Sequence, residues 1–433
     1  MTKWTKWTKF KFYCLSALVF FLPLVRTNAA INTVNLEESF RKAIERSEDV
    51  ATQMELIAQA EERYSQALGA VLPSVNFVGT YLKQDSGSSS PNLSPIDQRT
   101  YKLSASQPLF RGFREYAALK KTKIDTEGQA LLKEQAVQQL FLDTLQAFYQ
   151  VLAIEKDKIN LTSELDVNQK RLKEVAQFKK LGRSRASDVL SVESNIATLE
   201  SNLEMMNTND ASARSVYTFL TGLDKSTALS ESEKFPINLL PISDYLARIE
   251  ERPDVKAAIA FRESSERGVS IARGGHLPSL DLGANYYFLR PGYLSNVKWD
   301  ASLALTLPIF QGGIISSQVT IAASDLKTKE LALSKARRMA AEQIDNFYSQ
   351  ATGDLAQIEK QKRAIAIYGR NYEAEMKDYR YGLVNNLEVL LALNTFQESK
   401  RTLDRLLYQF KTDYLKLETA AAKRPFLLSK AKP

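Results

Sequence analysis

The chain has 433 residues, 44% hydrophobic and 25% charged, a composition that excludes a disordered tract and leaves room for a large core. Most of its formal net charge of +8 comes from the first thirty residues, which hold five basic side chains and no acidic one; the remainder carries 53 Lys+Arg against 50 Asp+Glu. Without a dense basic cluster to track phosphates, nucleic-acid binding loses its main argument.

Lys3, Lys6, Lys9 and Lys11, the apolar run Tyr13 to Val25, and the small-residue exit Thr27-Asn28-Ala29-Ala30 predict a secretory signal over residues 1–30, cleaved near Ala29 or Ala30. The run is broken by Pro23 and Arg26 and falls short of the roughly 20 apolar residues of a membrane anchor. Cys14, the one cysteine, leaves with it, so the exported chain is expected to have no disulfide and no thiol-bound metal.

Downstream, one pattern is written twice. Leu72-Pro73-Ser74 followed by Gln107-Pro108-Leu109-Phe110-Arg111-Gly112 returns as Leu277-Pro278-Ser279 followed by Leu307-Pro308-Ile309-Phe310-Gln311-Gly312. This divides the chain into a first repeat, 31–240, and a second, 241–433. Each opens with a helix and continues into a β-hairpin, 74–110 or 279–309, where side chains alternate with period two. Leu280, Leu282, Ala284, Tyr286 and Phe288 form a greasy face; Asp281, Gly283, Asn285 and Tyr287 form a wet one. Such strands suit either a membrane barrel or an amphipathic hairpin packed on helices.

Gly112 to about Lys180 and Gly312 to about Arg380 lack proline and predict helix, about 100 Å long in each copy. Turns at Gly182 and Gly382 fold each stretch back on a second helix. Its seam is Val189, Val192, Ile196, Leu199, Leu203 and Met206 in one copy, and Val389, Ala392, Phe396, Ser399, Leu403, Leu406 and Phe410 in the other. Steps of three and four specify coiled-coil packing. Four strands are too few to close in lipid, so a spanning sheet must be pooled between copies, whether two or three.

The duplicated Leu-Pro-Ser, Pro-Leu-Phe-Arg-Gly and Pro-Ile-Phe-Gln-Gly motifs, with a Gly-turn before Asp188-Val189-Leu190 or Glu388-Val389-Leu390, resemble the TolC family of outer-membrane efflux proteins. The resemblance implies a mainly α protein with transmembrane β structure: a homotrimer with a 12-stranded β-barrel, four strands per chain, above a long coiled-coil barrel in the periplasm. It implies an exit duct for efflux or type I secretion, whose tips dock on a periplasmic adaptor linked to an inner-membrane pump. By position the tips are 181–190 and 381–390, with docking carried by Leu181, Gly182, Arg183, Ser184, Tyr381, Gly382, Leu383 and Val384. Glu388, and with it Asp188, takes the place of the constricting acid. The family's second acid falls on Leu391 and its basic gating partner on Val384, which calls the cation block and charge lock into question. Both acids also suit a helix N-terminus without any gate.

An enzyme is not expected: the chain has one histidine, His276, no Gly-x-Ser-x-Gly and no phosphate loop, so no catalytic, cofactor-binding or metal residues are assigned. The runner-up is a periplasmic coiled-coil adaptor without a barrel, which leaves the greasy face uncovered.

Overall fold

A computed structural model of the chain describes residues 33–85, 95–231, 235–236 and 238–422; the signal segment and the middle of the first hairpin loop lie outside these. Helices α1 (Leu36–Arg46) and α2 (Glu48–Gly69) lead into strands β1 (Ser74–Lys83) and β2 (Asp97–Arg111), then α3 (Arg114–Lys180) and α4 (Ala186–Thr221). The order recurs as α5 (Ile242–Leu246), α6 (Pro253–Arg273), β3 (Ser279–Leu289), β4 (Trp299–Thr306), α7 (Ile314–Tyr381) and α8 (Asn386–Ala420).

The four strands form one antiparallel sheet in the order β1-β2-β3-β4, so β1 and β4 each leave an edge unpaired. Strand β2 runs through Pro108 by shifting register between Pro108 and Phe110, whereas β4 stops before its counterpart Pro308. Proline brings no N–H to a ladder, so a bulge or an end is forced at both places. Burial is inverted relative to a soluble sheet. Leu305 is 71% exposed and Phe77 65%, with Val75, Trp299 and Leu303 beside them. On the other face Asn285 donates to Asp300 Oδ1 at 2.8 Å, and Arg111 pairs with Asp281 at 2.8 Å. These polar side chains pair within the sheet, while the apolar ones touch mainly one another, as Phe77 does Tyr101 and Phe288.

Helices α3 and α7 are single uninterrupted rods of 67 and 68 residues, each about 100 Å long. Under the sheet, α2 packs on α3, α3 on α6 and α6 on α7, a layer with α2 and α7 at its flanks. Beyond the waist, α4 pairs with α3 and α8 with α7. Asn35 starts α1 by accepting the Glu38 amide at 2.9 Å, with Glu37 and Glu38 complementing the helix dipole. Leu36 and Phe40 then reach Phe141, Leu145 and Phe148 of α3 and Tyr217 of α4 in the largest apolar cluster. Tyr217 shares a hydrogen bond of 2.6 Å with Ser39, which satisfies both buried hydroxyls. In the second half Tyr245 of α5 plugs against Ile344 and Leu417 in the same manner. The waist is therefore a girdle of two short helices over two packed clusters.

Just below it α7 and α8 bury a carboxyl pair, Asp354 (8% exposed) and Asp413 (2%). Asp413 accepts from Gln409 at 2.5 Å and pairs with Lys416 at 3.3 Å. Burial, reinforced by Asp413, pushes Asp354 up to about 6. A carboxyl raised on folding costs stability once ionised: the cost is absent below its unfolded value near 4 and complete above about 6. Asp354→Asn is expected to stabilise the protein by about 1–3 kcal/mol at pH 7.5 and by almost nothing at pH 4. Thermal midpoints at the two pH values check this.

Candidate functional site: the hairpin tips

At the far end of the rods each hairpin turns on a glycine. Gly182 and Gly382 have φ of +74° and +76°, a left-handed conformation that a side chain would strain. The amide of Arg183 donates to Phe178 O at 2.8 Å and that of Gly182 to Lys179 O at 3.0 Å; Leu383 and Gly382 do the same to Asp378 and Tyr379, both at 3.0 Å. These six-to-one and five-to-two bonds satisfy the last helical carbonyls and stop the rods. Two turns of the same geometry thus present Leu181, Arg183, Tyr381 and Leu383 to solvent, with Ser184 and Val384 half-buried behind them.

The return helices open on the two acids singled out by sequence. Asp188 Oδ2 accepts from the Arg185 amide and from Ser184 Oγ, both at 2.8 Å. Glu388 Oε2 accepts from the Asn385 amide at 3.0 Å, while Asn385 Oδ1 accepts from the Leu387 and Glu388 amides at 2.8 and 3.2 Å. Each acid closes a helix N-terminus, as the dipole favours. Glu388 lies exposed and Asp188 is half-buried.

What joins the two hairpins is a residue the sequence did not single out. Arg171 of α3, 4% exposed, crosses to α8 and donates from Nη2 and Nε to Asn386 Oδ1 at 2.9 and 3.2 Å. Its guanidinium lies 4.2 Å from the ring centroid of Tyr379 on α7. Asn386 in turn donates to Asp188 O on α4 at 3.2 Å, so four helices meet around one arginine. Arg183 Nη2 adds a bond to Arg380 O at 3.0 Å, joining tip to tip. A second polar layer follows: Asn195 donates to Asn168 at 2.9 Å and exchanges bonds with Asn394 at 3.0 and 3.3 Å. Further up, Arg401 pairs with buried Glu164 at 3.2 Å, and burial still holds that carboxyl above its usual range. The usable sequence signal was Asn386 itself, an amide three residues before Val389 on a helix with an apolar seam.

Among the described residues no group of His, Cys, Asp and Glu is placed to hold a metal ion, and no helix is long and apolar enough to cross a membrane. His276 ends a 3₁₀ turn, Gly274–His276, ahead of β3.

Residues 40–222 and 247–423 match the outer membrane efflux protein family. The outer membrane protein TolC of Escherichia coli strain K12 is 24% identical over 196 residues, 42% of this chain and 40% of TolC, so the match spans well under half of that relative. In fold the chain is similar to the outer membrane protein VceC of Vibrio cholerae, with 17% identity and a TM-score of 0.78 over 89% of this chain and 95% of that one. The CmeC outer membrane channel of Campylobacter jejuni is also similar, with 15% identity and a TM-score of 0.75 over 89% and 85%. The adaptor alternative is left without support. With both halves matched and the fold shared over most of its length, the chain belongs to the outer membrane efflux protein family.

Proposed function

We propose that three copies of this chain form an outer-membrane exit duct of a tripartite efflux or type I secretion system. The observation that carries the reading is the sheet: two unpaired edges and one exposed apolar face on a four-stranded unit. Lipid accepts the face but not the edges, since each unmet backbone group there costs several kcal/mol. Three protomers supply twelve strands, an even number within the range of closed membrane barrels. The helices hang below as a periplasmic tunnel, and the two repeats, 31–240 and 241–433, give each protomer two equivalent staves.

In this reading substrate enters from an inner-membrane pump through a periplasmic adaptor seated on the tips, where Leu181, Arg183, Tyr381 and Leu383 are exposed. Glu388 and Asp188 lie where a constriction forms, and Arg171 holds the hairpins together in the closed state. The chemistry is passage and not catalysis. Buried polar layers in the tip seam suit a gate, because separated amides and guanidinium find water whereas separated leucines do not.

Light scattering in detergent is expected to give the mass of three chains, and planar bilayers mostly closed pores; a monomer without conductance sinks the reading. Glu388→Gln is expected to weaken cation block of single-channel current, and an unchanged block removes Glu388 from the constriction. Arg171→Met leaves Asn386 short of its donors at a cost of about 1–3 kcal/mol. It is expected to raise open probability and speed amide exchange around 178–190 and 376–390, with the sheet unaltered.

A further inference from the structure

The two hairpins have one register. Ser74 faces Ser106 in the first and Ser279 faces Thr306 in the second, so a shift of 205 positions carries β1 onto β3 and one of 200 carries β2 onto β4. Between the halves the chain makes a junction of its own. Strand β2 pairs with β3, setting Ser104 opposite Asn285, and below it two glycine turns touch backbone to backbone. A Cβ on Gly274 would lie 2.5 Å from Gly112 O, and one on Gly112 would lie 2.3 Å from Gly274 O. Neither position tolerates a side chain.

Under the same shifts Gly274 becomes Gly69 and Gly112 becomes Gly312. Both are glycines, both are exposed, and a Cβ on either meets nothing within 4 Å in the protomer. Gly312 has φ +58°, but Gly69 has no left-handed φ to account for it. The packing partners behave alike. Phe261 presses on Gly128 so closely that a Cβ there would lie 2.8 Å from its ring, and the shifted pair is Leu56 and Thr328, a smaller side chain facing a larger one. The Arg111–Asp281 ion pair becomes Gln311 and Asn76, two amides able to bond each other.

We infer that the seam between copies repeats the junction within the chain: β4 of one copy pairs antiparallel with β1 of the next with Ala304 opposite Thr80, and Gly312 rests against the backbone of the next copy's Gly69. The register follows from Ser104 opposite Asn285 by the two shifts. It keeps Leu303 with Tyr81 and Leu305 with Gly79 on the greasy face, with Leu307 just past the end of β4 in line with Phe77, whereas a slip of one residue turns one strand's apolar side chains to the wet face. The inference rests on the barrel reading above and adds the register and the contact that the reading leaves open.

Cysteine pairs in the full chain, oxidised in membranes and run on non-reducing gels, test it. A disulfide needs Cα atoms within about 7 Å, so only directly opposed positions qualify readily. Thr80→Cys with Ala304→Cys is expected to give covalent trimers, and Val78→Cys or Leu82→Cys with Ala304→Cys far less. Preferred linking through 78 or 82, or no linking in a protein that light scattering shows to be trimeric, overturns the register; a monomeric wild type instead removes the barrel reading. Gly69→Val touches nothing in the protomer and is expected to keep native circular dichroism. It should raise the monomer share about tenfold, the low end of an overpacking cost. Assembly of Gly69→Val at the wild-type level overturns the glycine contact.

Discussion

The structure depends on the requirement that a backbone amide or carbonyl placed in lipid have a partner. A four-stranded sheet meets it at three ladders and fails at two edges, and no rearrangement of one chain repairs that. The inverted burial of the strands follows: side chains elsewhere hidden are displayed, and on the opposite face Asn285 is tied to Asp300 and Arg111 to Asp281. The helices follow the same division, because α2 leads into β1 and β4 into α7, the two strands with an open edge.

Along the rods the kind of glue changes. At the waist Phe40, Phe148, Tyr217 and Leu415 make a dry cluster. Toward the tips the contacts between hairpins turn to amides, a guanidinium and ion pairs: Glu164 with Arg401, Asn195 with Asn394, Arg171 with Asn386. A dry cluster loses its transfer energy when parted, while a polar layer exchanges its bonds for water at modest net cost. The waist is thereby held by apolar packing, and the tip end by polar bonds beside the buried Val175, Val192, Val389 and Leu393. The Asp354–Asp413 pair lies between these regimes, where burial penalises an ionised carboxyl.

Much of the fold was legible because two of its rules are periodic. Alternation gave the four strands and their faces, and three-four stepping gave the return helices, whose Val192, Leu199, Val389 and Ala392 are buried as the stride requires. The ends of strands were less legible. Val297 alternates correctly but its amide is taken by Leu294 O in a turn, and Pro308 withholds a donor from β4. At the tips the glycine turns and helix-starting acids could be read from residue type alone. Arg171 could not, since an arginine inside a 67-residue rod carries no local mark of which helix it will reach. Its partners, Asn386 and Tyr379, are about two hundred positions away, and only folding brings them together.

The exposed apolar face has a consequence for the life of the chain before it reaches lipid. A protomer crossing an aqueous compartment with Phe77, Trp299, Leu303 and Leu305 uncovered and two strand edges unfilled is a template for indiscriminate pairing. Its danger is greatest when copies are scarce and correct neighbours are far away.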